Sequence, residues 1–165
     1  MGSTVFTKSN IILNNFIKNK ISKYDKFRNY DYGRDNPFKF VSGLSQYISL
    51  GILKEETILK SIKKSQNKSE KFIQEILWRT YWKGWLEKHN KVWLLYKKNY
   101  DNEKKNIATD KRYELFIKAI NGKTALKPFN YWVDQLLQTN YLHNHSRMWF
   151  ASISIHYYNL PWELG

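Results

Sequence analysis

The sequence predicts an all-α fold. Apolar residues recur at the three- and four-residue spacing of one helical face, most clearly at Phe72, Ile73 and Ile76. No alternation of apolar and polar residues, the pattern of a paired strand, continues for more than a few positions. With 165 residues and no Cys, we expect one domain around one core, and neither disulfides nor thiolate metal ligands.

The first two segments are expected to be a helix and a loop. Phe16 and Ile17 follow an apolar start at helical spacing, which predicts a helix from about residue 10 to about residue 26. Residues 27–41 contain turn-forming residues such as Gly33, together with aromatic side chains that suit packing. We therefore expect an irregular loop that is packed rather than a spacer.

Two short helices should follow this loop. Ser42 can cap a helix that runs to Leu50, where Gly51 ends it. The two glutamates at residues 55–56 favour the start of the next helix, which should end near Lys64.

The clearest helix runs from Ser69 to about His89 and carries two apolar faces, so we expect burial on both sides. One face has Phe72, Ile73, Ile76, Leu77 and Gly84, and the other has Glu75, Trp78, Trp82 and Trp85. Glu75 and Trp78 are three residues apart, which places a carboxylate and an indole side by side. Such a pair belongs either to a pocket for a planar ligand or to a core.

The remainder should contain three further helices. Residues 101–110 are polar and are expected to form a surface connection. The first of the three helices covers residues 113–120 and is ended by Gly122. Pro128 begins the next one, and the last covers about residues 143–158.

Charge and composition limit the function. A net charge of +14 attracts polyanions, nucleic acid above all, with an affinity that falls as salt rises. Lys, Asn, Ile and Tyr are abundant and all have A/T-rich codons, so genome composition is an alternative origin of the charge. No apolar run reaches the ~20 residues of a membrane span and no signal peptide is recognisable, so we expect a cytoplasmic protein that does not enter a membrane.

A few side chains could carry chemistry. The segment from Ser42 to Ser45 places two hydroxyls and backbone N–H groups at a helix start, which suits either a phosphate or an ordinary cap. Arg79 and Arg147 could each grip a phosphate or form an ion pair. The two histidines beside Asn144 cannot share a helical face, so no metal site is expected. The sequence motifs of P-loop, Rossmann and serine-hydrolase sites are absent.

Several segments occur together in the order that photolyases and cryptochromes use. They are Tyr30-Asp-Tyr-Gly-Arg-Asp-Asn-Pro37, Ser42-Gly-Leu-Ser-Gln-Tyr-Ile-Ser-Leu-Gly51, Glu75-Ile-Leu-Trp-Arg-Thr-Tyr81, Asn140-Tyr-Leu-His-Asn-His-Ser-Arg-Met148 and Pro161-Trp-Glu-Leu-Gly165. Residues 27–165 thus resemble the first half of the helical FAD-binding domain of that family. Residues 1–26 would be an N-terminal helix ahead of it.

The resemblance implies a pocket for FAD in its folded form. The residues that match the family's cofactor contacts are Tyr30, Ser42, Leu44, Ser45, Arg79, Tyr141, Asn144 and Arg147. Glu75 and Trp78 match the wall that touches a pyrimidine dimer in repair enzymes. Trp162 matches the middle member of the tryptophan chain that relays electrons to photoexcited flavin. An active protein of this kind would be a DNA photolyase-like, light-dependent lyase.

The chain also departs from the family pattern. Donors that contact phosphate are lost at some of the differing positions, which are Val41 for Thr, Gly43 for Arg, Asn130 for Asp, Tyr141 for Trp and His145 for Arg. The family's contacts under the flavin ring follow the position of Gly165, so the resemblance is to a domain truncated after its first half.

Two main functional hypotheses follow. The first is an FAD-binding module whose pocket is completed by a second copy or by a complementary partner chain, with DNA as a candidate partner and light-driven electron transfer as a candidate activity. The alternative is a basic helical nucleic-acid-binding module that has lost the flavin. Complete photolyase activity by this chain alone is a third hypothesis.

Overall fold

The computed structural model describes residues 2–165, with side chains from Thr4 onward, and all regular structure in that range is helical. The predicted all-α class is therefore confirmed. The elements are α1 (Gly2–Asn19), α2 (Ile21–Phe27), α3 (Ser45–Ser49), α4 (Glu55–Lys64), α5 (Glu70–Lys88), α6 (Asn90–Ile107), α7 (Tyr113–Ile120), α8 (Lys127–Thr139), α9 (Asn144–Ser152), a π-helical turn (Ile153–Tyr157) and a 3₁₀ turn (Trp162–Leu164). Within the described range, every helix is too short or too polar to cross a bilayer.

The helices form two compact units, Met1–Trp85 and Leu86–Gly165, and the boundary between the units falls inside α5. The first unit has its core on α1 to α5, built by Leu13, Phe16, Ile17, Ile21, Tyr24, Leu44, Tyr47, Ile48, Leu53, Ile58, Ile62, Phe72 and Ile76. The second unit has a smaller core, built by Ala119, Phe129, Val133, Tyr158 and Leu160. The assignment of residues 1–26 and 27–165 to a helix and one domain stays a prediction.

The first helix begins earlier than predicted and is interrupted. α1 starts at Gly2 instead of about residue 10, and Lys20 (φ −126°) separates it from α2. The sequence hides this start because Ser and Thr are frequent in residues 3–9, and these residues have a low intrinsic helix propensity. At the break, Lys20 Nζ donates a 2.6 Å hydrogen bond to the Phe38 carbonyl oxygen, which ties the helix end to the loop that follows.

The segment between α2 and α3 is irregular, as predicted, and its aromatic side chains pack on one another. The rings of Phe27 and Phe40 are stacked with centroids 4.8 Å apart, and Tyr32 lies 5.5 Å from Phe40. The predicted start of the next helix is wrong, because α3 is preceded by Leu44 and not by Ser42. Ser42 Oγ instead accepts a 3.3 Å hydrogen bond from the Leu44 N–H, which forms a local turn before the helix.

The predictions for α4 and for the start of α5 are confirmed. Ser69 lies just before α5, and its Oγ accepts a 3.0 Å hydrogen bond from the Phe72 N–H. The expected burial of both faces of α5 is wrong. Phe72 and Ile76 are buried in the first core, whereas Trp78 is 56% exposed and Trp82 is 55% exposed. The first unit therefore packs on one side of α5.

In the second unit, the expected surface connection at residues 101–110 is wrong, because α6 continues to Ile107. α7 ends as predicted, with Gly122 in the left-handed region (φ +63°) after it. α8 has its proline in the first turn, and α9 begins after His143. The helix then widens into the π-helical turn, where the Tyr158 N–H donates to the Ile153 carbonyl oxygen at 2.9 Å.

Candidate functional site

The sequence-predicted site residues are divided between the two units. The first unit contains Tyr30, Ser42, Leu44, Ser45, Glu75, Trp78 and Arg79. The second unit contains Tyr141, Asn144, Arg147 and Trp162.

Ser42 lines a cavity of about 180 Å³ in the first unit, whose wall contains both polar and apolar side chains. The other polar lining side chains are Asn15 and Lys20, from α1 and the helix break, and Gln46 from α3. The apolar ones are Ile12, Phe16 and Phe38. The cavity volume is several times the ~30 Å³ that one water molecule occupies in the liquid. It can therefore hold a small polar group such as a phosphate.

Lys20 supplies the positive charge of this cavity. Its Nζ donates to the Phe38 carbonyl oxygen at 2.6 Å, which fixes the position of the ammonium group. Burial holds the pKa of Lys20 below its usual value of 10.5, because a partly desolvated ammonium is less favourable than a hydrated one. An anion in the cavity would reduce this cost, so the site favours negative charge.

Gly43 has a backbone conformation that requires glycine. Its φ is +65°, and a Cβ atom added there would lie 3.3 Å from the ring of Phe38. Both the left-handed conformation and the close approach disfavour any side chain. Glycine thus lets the chain pass against Phe38 while it lines the cavity beside Ser42.

The other predicted phosphate contacts have different environments. Leu44 is fully buried in the first core, so its side chain packs and does not face a ligand. Ser45 is exposed at the first position of α3. Tyr30 is 61% exposed, and its ring is tilted against Phe27 at 6.2 Å between centroids. Of these residues only Ser42 lines the cavity.

Glu75 is held by structural partners. Its Oε2 accepts a hydrogen bond from the buried Tyr24 hydroxyl, and its Oε1 accepts one from Arg28 Nε at 3.2 Å. Trp78 lies one turn further along the same helix with its ring mostly in solvent. The structure thus joins Glu75 to the first core and leaves Trp78 available for contact with another molecule.

Arg79 is engaged with α3 and α4. Its Nη2 donates a 2.8 Å hydrogen bond to Ser49 Oγ, and its Nε lies 3.4 Å from Glu55 Oε1, close enough for an ion pair but not aligned for a hydrogen bond. Lys83 Nζ is 3.3 Å from the same carboxylate oxygen. Burial raises the pKa of Glu55, but its own backbone N–H, Lys83 and Arg79 outweigh burial and hold the pKa below its usual value.

In the second unit, the structure brings Tyr141, Asn144 and Arg147 together at the start of α9. The Arg147 guanidinium lies 5.8 Å from the centre of the Tyr141 ring, and its Nε donates to the Leu142 carbonyl oxygen at 2.8 Å. Asn144 is the first residue of α9 and is exposed. This arrangement presents an amide and a guanidinium to solvent beside an aromatic ring.

Trp162 is 56% exposed and lies beside α6. Its ring centroid is 5.5 Å from that of Tyr96, with 39° between the planes. The sequence did not reveal this partner, because α6 itself was not predicted.

Neither a protein-family model, nor a curated protein, nor a solved structure matches this chain. Among the described residues, no group of three or more His, Cys, Asp and Glu side chains is placed to hold a metal ion. The chemistry of the site therefore has to be inferred from the residues themselves.

The sequence also gave no indication of the cavity residues Asn15, Lys20 and Gln46. Lys20 precedes Ser42 by more than twenty positions and sits in what reads as the middle of one helix. A lysine in such a pattern is normally solvated, and only the break between α1 and α2 turns this one towards the loop.

Proposed function

We propose that this chain binds FAD as a module similar to the first half of the photolyase and cryptochrome helical domain. The observation that supports this is the cavity of the first unit, which is lined both by Ser42, matched by resemblance to a phosphate contact, and by Lys20. A partly desolvated cation together with hydroxyl and amide donors suits a diphosphate, because hydrogen bonds between charged groups are stronger than those between neutral groups.

The cavity fits the phosphate portion of FAD but not the whole cofactor. Its volume of about 180 Å³ is below the ~300–1,000 Å³ of pockets that enclose drug-sized ligands. The flavin ring would therefore be enclosed by polypeptide outside the residues described above, from a second copy of the chain or from a partner chain. The exposed indole of Trp78 offers an apolar surface for such a contact.

The roles of the chain's own residues follow from their placement. Lys20 and Ser42 would bind phosphate oxygens, with the Phe38 carbonyl holding the ammonium in place. In the second unit, Arg147 beside the Tyr141 ring is a separate candidate anion contact, which the resemblance alone assigns to the cofactor. FAD, when bound, would supply one-electron chemistry, and light-driven repair of DNA is the enzyme activity that the resemblance implies.

The first test is the visible absorption spectrum of the purified chain after incubation with FAD and desalting. We expect oxidised-flavin bands at about one flavin per chain or per pair of chains. Excess FAD at about 100 times its dissociation constant should add about 2.7 kcal/mol to the free energy of unfolding. For a chain of this size that corresponds to a rise in Tm of roughly 5–11 °C.

A pair of matched variants tests the cavity itself. Lys20→Met should remove most of the FAD-dependent rise in Tm, because it removes the cavity's cation. Lys18→Met changes the charge equally at an exposed position of α1 and should leave the rise intact. A colourless protein with no shift in Tm contradicts FAD binding, and equal effects of the two variants contradict the role of Lys20.

Sedimentation with and without FAD tests how the pocket is completed. Completion by a second copy predicts a dimer that becomes more stable when flavin is added. A concentration-independent monomer that still retains flavin would contradict completion by a second copy.

A further inference from the structure

Along α6, aromatic rings and lysines alternate in one line. Trp93, Lys97, Tyr100 and Lys104 recur at i, i+4, i+7 and i+11, the spacing of a single stripe on an α-helix. Trp93 is 56% exposed, Tyr100 is 37% exposed, and both lysines are exposed. The stripe thus faces solvent instead of the core of the second unit.

The rings of this stripe belong to a larger aromatic group, which we call the α6 ladder: Trp93, Tyr96, Tyr100 and Trp162. Tyr96 is its centre, with ring centroids 5.4 Å from Trp93, 5.5 Å from Trp162 and 6.4 Å from Tyr100. The interplanar angles are 21°, 39° and 37°, so the rings lie closer to parallel than to edge-on. The ladder is therefore a group of roughly parallel rings around Tyr96, and its three outer side chains, Trp93, Tyr100 and Trp162, are exposed.

The ladder is also held in place within the second unit. Tyr96 Oη lies 3.4 Å from the Glu163 carbonyl oxygen, and Asn99 Nδ2 lies 3.5 Å from Glu163 Oε1. These contacts are long, but Glu163 is buried, so together they keep the segment with Trp162 against α6. A preformed group of rings has less side-chain entropy to lose when it binds a ligand.

Two lysines lie on the same stripe as the rings of the ladder. Lys97 Nζ is 5.7 Å from the centre of the Trp93 ring, and Lys104 follows Tyr100 by one helical turn. The acidic residues of α6, Asp101 and Glu103, project to opposite flanks of the stripe, at roughly 80° to either side of Trp93 at 100° per residue. The stripe itself therefore combines ring faces with cations, in a chain of net charge +14.

We propose that the α6 ladder binds single-stranded nucleic acid. Bases stack on the exposed faces of Trp93, Tyr100 and Trp162, and phosphates lie beside Lys97 and Lys104. Single-strand binding sites combine these two elements, because every base has a planar face and every nucleotide a negative charge. Double-stranded nucleic acid is a poorer ligand because its base faces are stacked inside the duplex. An acidic protein surface is also a poorer ligand, because it would pair with the lysines and leave the rings unused. The site does not depend on flavin, so its test is separate from that of the FAD proposal.

The first experiment measures fluorescence anisotropy of a labelled strand of about 20 thymidines, and of a uridine strand of equal length, with the flavin-free chain at about 50 mM salt. Binding should weaken steeply towards about 200 mM salt, because the phosphates carry part of the affinity. A strand of equal length made only of abasic nucleotides keeps that charge and removes the bases. It should bind at least about tenfold more weakly, since stacking contributes about 1–3 kcal/mol per base. Comparison of the two base-containing strands shows whether DNA or RNA is preferred.

Matched variants assign the binding to the ladder. Trp93→Ala and Tyr100→Ala should each lower the affinity for the base-containing strand by about 5- to 150-fold, the range expected for one stacked base. They should leave the affinity for the abasic strand unchanged. Trp149→Ala removes an equally exposed indole on α9, outside the ladder, and should bind as the unchanged protein does. Lys97→Ala should weaken binding to both strands, and Lys123→Ala is its matched control.

Three outcomes would overturn the proposal. They are no binding at the lowest salt, equal affinity for the abasic and base-containing strands, and equal effects of Trp93→Ala and Trp149→Ala. Circular dichroism of each variant separates a lost contact from a lost fold. Because Trp93 and Tyr100 are tested independently and both are exposed, misfolding of one variant still leaves the other to decide the question.

Discussion

Substitution of Glu75 by alanine should destabilise the first unit by about 2–4 kcal/mol. The Tyr24 hydroxyl donates to this carboxylate, and a hydrogen bond to a charged group is worth about 1.5–3 kcal/mol. The Arg28 ion pair adds only about 0.2–1 kcal/mol, because the two side chains are 23% and 37% exposed and solvent screens them. For a chain of this size the sum corresponds to a fall in Tm of about 4–16 °C.

The assay is thermal and urea denaturation followed by circular dichroism. Glu75→Gln keeps an oxygen acceptor for Tyr24 and should lose only about 1 kcal/mol, while Glu87→Ala, at an exposed position of the same helix, should change little. A double-mutant cycle with Tyr24→Phe should give a coupling energy of about 0.5–3 kcal/mol. If Glu75→Ala unfolds at the same temperature as Glu87→Ala, the carboxylate does not support the core and its contacts with Tyr24 and Arg28 contribute nothing to stability.

Three further predictions concern stability. Gly43→Ala should destabilise the protein by about 1 kcal/mol or more, because φ is +65° and the new Cβ would lie 3.3 Å from a phenylalanine ring. Gly84→Ala should instead stabilise it by up to about 1 kcal/mol, because Gly84 is helical and has open space around it. The two variants should therefore shift Tm in opposite directions. Gln135→Leu should raise the urea midpoint, since both side-chain amide atoms are buried without a hydrogen-bond partner; a lower midpoint would mean that the amide is satisfied in solution. Hydrogen bonds from the Arg112 side chain and backbone N–H lower the pKa of Asp110 from its usual 3.8 to about 2. The ionised carboxylate therefore stabilises the fold above about pH 4, and this contribution is lost as the pH falls towards 2. An NMR titration of the carboxyl carbon that gives an ordinary pKa would contradict this.

The helices that the sequence predicts well carry their own boundary signals. α4 begins with two glutamates, ends with two lysines and buries Ile58 and Ile62 one turn apart, so local charge and spacing define it completely. The end of α7 is likewise marked by Gly122, and the start of α8 by a proline in its first turn. Where the residues that begin a helix, those that end it and its apolar face all agree, the helix can be predicted without knowledge of its tertiary contacts.

α6 shows the opposite situation. Residues 92–95 are all apolar and all exposed, so they occupy every side of the helix and give no stripe that a periodicity search can recognise. Its second half is rich in Lys and Asn and reads as a polar connection. The sequence therefore gives neither the helix nor the ring contacts that Tyr96 makes from it.

The candidate site was partly foreseeable. In the first unit, Ser42 and Gly43 could be singled out by residue type, although Ser42 lies in the turn before α3 and not at the helix start. In the second unit, Arg147 could be singled out because a guanidinium offers a fixed fork of donors. The exposure of Trp78 and the approach of Lys20 to Phe38 could not, since both depend on which side of a helix another segment covers. Residue type determines which groups a side chain can bind, whereas tertiary packing determines which groups lie next to it.

The π-helical turn at Ile153–Tyr157 has a consequence for changes in chain length. The hydrogen bond from the Tyr158 N–H to the Ile153 carbonyl oxygen spans five residues, one more than in an α-helix, so the turn holds one surplus residue. Deleting one residue there would restore an ordinary α-helical turn and leave Tyr158 and Leu160 close to their places in the second core. The same deletion within α8 would rotate everything after it by about 100°. A single-residue deletion in this unit should therefore be tolerated at the π-helical turn but not within α8.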